Sequence, residues 1–138
     1  MLGNVLKKHK TSSLNYFGKE LNNVKKIYDG NDLKIVQVLN IQGKIQKCFF
    51  YEDNGRLSNM SEYDTNTGKE IKNTTYRKDG KTISSIREYN VNDGYLRFVA
   101  FYKEDGRSIS SIIEYNKFGT EIEFSLFCDD GEVITASI

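Results

Sequence analysis

The chain has no tryptophan, no proline, one histidine and two cysteines. Each shortage excludes a class of function. His9, in a lysine-rich stretch, reads as a solvated surface residue and cannot build a multi-histidine metal site, and no Cys/His cluster accompanies it. Two cysteines are too few for a disulfide scaffold. Cys48 and Cys128 lie far apart, neither has a CxxC partner, and both read as buried, reduced thiols on strands. No apolar run approaches the roughly 18 residues of a membrane span. The first ten residues lack an apolar core, so the reading is cytoplasmic, or secreted if a leader has been removed. Charge of one sign is missing as well. Twenty basic residues against 19 acidic ones leave a net charge of +1, which excludes the usual strongly basic nucleic-acid binder and an acidic disordered tail.

What is present is a repeat. The length of 138 residues fits one domain, read as a single β-repeat domain over 1–138 with 1–17 as an N-terminal cap, strand or short helix. Apart from Gly3, every glycine falls on one series: 18, 30, 43, 55, 68, 80, 94, 106, 119 and 131. Two kinds alternate. One ends an aromatic-to-Asx-Gly run, as in Tyr76-Arg77-Lys78-Asp79-Gly80 and Tyr102-Lys103-Glu104-Asp105-Gly106. The other follows Leu or Tyr and then Asn or Asp, as in Tyr63-Asp64 to Gly68 and Tyr89-Asn90 to Gly94. The unit is therefore about 25 residues, present about five times. Asp-Gly and Asn-Gly supply the positive φ of tight turns, and an Asn or Asp after the aromatic can bond its own backbone. Removing the turns leaves strands of about eight residues. The expected fold is all-β: an antiparallel meander of about ten short strands in one strongly twisted, curled sheet, with a partial or closed barrel as the alternative.

One pattern resists a flat strand. Apolar residues recur every three positions, at Leu33/Val36/Leu39, Ile83/Ile86/Tyr89 and Ile109/Ile112/Tyr115. Strands have period two, so either both faces bury something or a bulge at Ser84-Ser85 and Ser110-Ser111 resets the phase.

Residues 61–83, Ser61-Glu62-Tyr63-Asp64 through Gly68-Lys69 to Tyr76-Arg77-Lys78-Asp79-Gly80-Lys81-Thr82-Ile83, resemble a bacterial short β-repeat family of unknown function common in phytoplasma proteins. The likeness is close over 61–90, good over 91–131 and degenerate before 55. More distantly the chain is similar to MORN-like repeats of bacterial antitoxins and to YD repeats. MORN repeats use Trp and more Gly, and YD-repeat shells are much longer. The resemblance implies a β-repeat and brings no activity, catalytic residue or cofactor with it.

The residues themselves offer little catalysis. No G-x-x-x-x-G-K-[ST] loop is present. Glu62, Glu88 and Glu114 recur with the repeat, always before Tyr, and read as a charged row beside Lys and Arg of neighbouring strands. The reading is that of a protein without catalytic residues, metal or cofactor. Tyr63, Tyr89 and Tyr115 should stack on alternate strands, as should Tyr76 and Tyr102, either as cross-strand packing or as a stripe for a partner. Residues 1–50 hold nine lysines and three acids, whereas 51–138 hold 11 basic and 16 acidic residues. Such a dipole can steer a charged partner or drive head-to-tail self-association. The leading expectation is a non-enzymatic protein-binding module of immunity, antitoxin or effector type, capturing a toxin or host protein through Tyr89, Tyr115, Arg87 and Lys117. The alternative is single-stranded nucleic acid on the basic N-terminal half with Tyr16, Phe17 and Tyr28, against which the low net charge weighs. An enzyme ranks last.

Overall fold

A computed structural model describes residues 23–138, together with the backbone of 11–12, 15–16 and 19–20. His9, Phe17, Gly18 and the Tyr16 side chain lie outside the described residues, as does most of the 1–17 cap. Three two-residue strands come first: β1 (Thr11–Ser12), β2 (Asn15–Tyr16) and β3 (Lys19–Glu20). Ten longer strands follow: β4 (Asn23–Asp29), β5 (Asp32–Leu39), β6 (Ile45–Tyr51), β7 (Leu57–Tyr63), β8 (Glu70–Tyr76), β9 (Ile83–Tyr89), β10 (Leu96–Tyr102), β11 (Ile109–Tyr115), β12 (Glu121–Phe127) and β13 (Val133–Ser137). The expected all-β meander is what forms. Sequential strands β4 to β13 are hydrogen-bonded in chain order, each antiparallel to the last, and β1 adds to β4 at the near end. β2 and β3 pair separately. Among the described residues no strand joins β13 to β1 or β4, so the sheet they form is open and not a closed barrel.

The turns explain why the chain reverses where it does. All nine glycines from Gly30 to Gly131 take positive φ, between 62° and 91°. In the Asp-Gly turns, Asp79 Oδ1 accepts the N–H groups of Lys81 and Thr82 at 2.9 and 2.8 Å, and Asp105 Oδ1 does the same for Arg107 and Ser108 at 2.9 Å. In the other turns Asn40, Asp64, Asn90 and Asn116 accept from backbone N–H groups two to four residues on. Asx chemistry thus writes every turn from residue 40 to residue 120.

The three-residue spacing resolves into both of its expected causes. Eight of the nine hairpins from β4 to β13 carry a register shift that leaves one residue of the second strand unopposed. Between β8 and β9, Tyr76 faces Ile83 and Thr75 faces Ser85, so Ser84 is the extra residue; Ser110 is its counterpart between β10 and β11. The bulge returns Ile83 to the face of Ile86. Tyr89, three further on with no bulge between, falls on the other face.

Among the described residues, Cys48, Val99 and Ala100 are the fully buried hydrophobics, joined by Ser61, Thr74 and Ser85. The surface of 9233 Å² exceeds the roughly 7,400 Å² expected of a compact monomer of this mass. The sheet is a single layer whose large side chains are half-buried by their neighbours on the same face. The charged row is real in the first half of the repeat, where Lys47, Glu62, Lys72 and Glu88 oppose one another in turn. It fails in the second. Glu114 lies between Phe98 and Glu123, without a lysine or arginine, because those positions are not basic on β10 and β12.

Candidate docking face

Strand alternation and the bulges sort the tyrosines onto two faces. Tyr63, Tyr89 and Tyr115 each end a strand just before an Asx turn. They recur on every second strand of one face, about 10 Å apart. All three are half-buried. Tyr76 and Tyr102 occupy the Asp-Gly end of the opposite face, where Tyr76 neighbours Tyr51 and Glu62.

The Tyr63 face carries an open groove of about 580 Å³. Ile35 and Gln37 of β5 and Cys48 and Phe50 of β6 make its floor. Tyr63 and the turn Thr65–Gly68 flank it, and Lys44 and Ile45 stand at the rim. The turn holds its shape because Asp64 accepts the N–H groups of Asn66 and Thr67 at 2.8 and 2.9 Å. Cys48 is 4% exposed, with Tyr63 and Gln37 in hydrogen-bonding reach; burial raises its thiol above the ordinary value. Burial likewise raises the Tyr63 phenol. Both groups are neutral at physiological pH, so the floor offers packing surface and not a nucleophile. Beside the groove, Asn73 donates to Ser61 Oγ at 3.0 Å and to Asn59 at 3.3 Å, while Ser61 donates to the Glu70 carboxylate.

The residues singled out from the sequence lie further along this face. Tyr89 and Tyr115 stand in the same row as Tyr63, and burial raises the Tyr89 phenol. Arg87 is exposed beside Tyr89, and Lys117 is exposed in the turn after Tyr115, its Nζ 5.3 Å from the ring of Phe118. The four therefore share one region, but the groove itself sits one repeat earlier. Sequence reasoning passed over Gln37, Cys48 and Phe50. The signal available was the period-two pair Cys48/Phe50 facing Ile35/Gln37, visible only once the strands are paired. Cys128 corrects the expectation of two buried thiols on strands. It is half-exposed and opens the last turn, because the Asp129-Asp130-Gly131 run ends the strand at Phe127. Among the described residues, no group of three or more His, Cys, Asp or Glu could hold a metal ion.

Residues 50–97 match a family described as a protein of unknown function (DUF2963). The fold is similar to part of a chain in the crystal structure of a GtfA/B complex bound to UDP and GlcNAc, at a TM-score of 0.52 and 14% identity over 94% of this chain. It also matches part of accessory secretory protein 1, 2 and 3 from Streptococcus pneumoniae, at a TM-score of 0.33 and 14% identity over 80% of this chain. The chain spans 24% and 18% of those two chains. At this identity the first likeness speaks for the fold alone. No curated protein matches the chain.

Proposed function

We propose that this chain is a non-enzymatic protein-binding module that captures its partner on the face bearing Tyr63, Tyr89 and Tyr115. The observation that carries the reading is the row of half-buried tyrosines continuous with an uncharged groove floor of Ile35, Gln37, Cys48 and Phe50 on a single-layer sheet. Half-buried aromatics give a partner large contact area at low entropic cost, and flanking Arg87 and Lys117 favour an acidic rim on that partner. The more specific form of the proposal is an immunity, antitoxin or effector role, within the phytoplasma-type repeat family that residues 61–83 resemble.

The test is cross-linking mass spectrometry with the tagged chain in its own cells, comparing wild type with Tyr89→Ala/Tyr115→Ala. The expected result is one protein cross-linked to the groove face of the wild type and lost from the double variant, whose circular dichroism is unchanged. Cross-links on the Tyr76 face, or capture indifferent to the substitutions, would contradict the reading. Tight, salt-sensitive binding of a labelled oligothymidine would favour nucleic acid instead.

A further inference from the structure

The two faces of the sheet are unequal. On the Tyr76 face, the row nearest the Asp-Gly turns reads Tyr51, Leu57, Tyr76, Ile83, Tyr102 and Ile109 across β6 to β11, aromatic and aliphatic in alternation. The next row runs from Phe49 through Met60, Thr74, Ile86 and Ala100 to Ile112 and holds no charge. The third is the row of Lys47, Glu62, Lys72 and Glu88, continued by Phe98 and Glu114. The rows of the Tyr63 face are interrupted by Asn59, Asn73 and Arg87. Domains bury an apolar sheet face against a second layer. Among the described residues no strand packs over this one. Apart from Thr74 and Ala100, the side chains of its first two rows are only half-buried by their neighbours.

A second copy fits this face. Two sheets pack face to face about 10 Å apart with their strands nearly aligned. A two-fold axis parallel to the strands, passing between β8 and β9, lays each row on its own counterpart and reverses the strand order. It sets β8 over β9, β7 over β10 and β6 over β11. Aromatic then meets aliphatic: Tyr76 lies on Ile83, Tyr102 on Leu57 and Tyr51 on Ile109. In the next row Met60 meets Ala100. Charge agrees. Lys72 meets Glu88, and Lys47 meets Glu114, whose own cross-strand neighbours are Phe98 and Glu123. Moving the axis by one strand would set Lys72 on Lys72 or Glu88 on Glu88. An axis across the strands would lay the apolar row on the charged one. The face from β5 to β12 is roughly 40 Å wide and its three rows about 20 Å deep, so each copy covers about 800 Å², the share of a standard interface.

We infer that two copies of this chain close face to face through the Tyr76 face, as a symmetric dimer in which each sheet is the other's second layer. The contact is isologous, so it stops at two. It leaves the Tyr63 face open and is independent of the capture proposed above. Cross-links on the Tyr76 face then join the chain to a copy of itself and not to the captured protein.

Sedimentation equilibrium over a concentration series tests this. The wild-type mass should rise to that of two copies and no further. Ile83→Lys, beside the axis, should leave a monomer with its β circular dichroism intact. Lys47 and Glu114 are exposed, so charge reversal there spares the fold. Glu114→Lys turns both contacts with Lys47 repulsive and should raise the dissociation constant roughly tenfold. Lys47→Glu/Glu114→Lys restores the attraction and should bring the constant back towards the wild-type value. Tyr89→Ala/Tyr115→Ala, on the other face, should leave it unchanged. Should Ile83→Lys fail to fold, the loss and recovery at Lys47 and Glu114 carry the test. A wild-type mass that stays monomeric throughout, a mass that grows beyond two copies, or a dimer indifferent to Glu114→Lys would overturn the inference.

Discussion

The two rims of the sheet are built from similar turns but held together differently. On the Asp-Gly rim every turn is tied to the next. Lys34 pairs with Asp53, Arg56 Nη1 donates to the Arg77 carbonyl at 2.9 Å, Arg77 Nη2 to the Tyr102 carbonyl at 2.7 Å, and Lys103 pairs with Asp129 at 2.6 Å. On the Asx-x-x-Gly rim, among the described residues, one such link appears, from Lys69 Nζ to the Asn92 carbonyl at 2.8 Å. Close packing of glycine on the preceding repeat is confined to two turns of the Asp-Gly rim, at Gly80 and Gly106, whereas a Cβ on Gly30, Gly55 or Gly131 of that rim would meet nothing within 4 Å. A Cβ on Gly106 would stand 2.7 Å from Thr82 Cγ2 and 3.0 Å from the Ile83 nitrogen, whereas one on Gly119 would meet nothing within 4 Å. One rim stacks repeat on repeat. The other, with the Lys69 link between two of its turns, borders the groove and the tyrosine row. A single-layer sheet has no second layer to hold its repeats in line, and the braced rim takes that role.

The largest way to break the comparison is a pair of alanines. Both Gly106 and Gly119 lie in the left-handed region, at φ +68° and +82°, so each substitution meets backbone strain of about 1–2 kcal/mol. Gly106→Ala adds a clash with the preceding repeat, for a total of roughly 2–4 kcal/mol. Urea denaturation should therefore place the Gly106→Ala midpoint well below that of Gly119→Ala. Equal midpoints would mean that the stacking contact adds nothing.

Next come the links. Arg77→Ala strips the Tyr102 carbonyl of its donor and should lower stability by about 1–2 kcal/mol. Lys69→Ala, on the other rim and exposed, should stay within about 0.5 kcal/mol. Thermal unfolding of the two variants side by side measures the difference between rims directly.

Acid titration sharpens it further. The Thr82 hydroxyl, followed by backbone N–H groups, lowers the Asp79 pKa to about 2; backbone N–H groups of Ser108 and Arg107 lower that of Asp105 to about 2. A depressed carboxylate stabilises the fold above its unfolded value, about pH 4, and that contribution disappears as pH falls towards 2. Wild-type Tm should fall across that window. Asp79→Ala/Asp105→Ala should begin lower at neutral pH and show a shallower acid limb. Parallel limbs would remove these two carboxylates from the account. The smallest effect is expected at Lys117, exposed and held only by its neighbouring ring, where Lys117→Ala should leave Tm within about a degree or two.

The turns, the strand count and the serine bulges were legible in the sequence because each depends on neighbours in the chain. Asp79 and Asn90 write their turns within four residues, and Ser84 can be suspected from the spacing of Ile83 and Ile86. What depends on the pairing of distant strands was not legible. The groove needs Cys48 beside Tyr63, the failure of the charged row at Glu114 needs Phe98 and Glu123 opposite, and the bracing needs Arg77 to reach Tyr102, 25 residues away. Whether the sheet closed was equally hidden, because it rests on two ends more than a hundred residues apart.

Amide hydrogen exchange at matched positions tests the division of rims most directly. In each turn the first residue closes the loop through its own N–H: Arg77 to Thr82 and Lys103 to Ser108 on the braced rim, Asn90 to Tyr95 and Asn116 to Thr120 on the other, all at 2.8–2.9 Å. The geometry of the bond is the same, so protection reports what holds the turn in place. The account predicts slower exchange at Arg77 and Lys103 than at Asn90 and Asn116. Equal protection at all four, or slower exchange at Asn90 and Asn116, would contradict it.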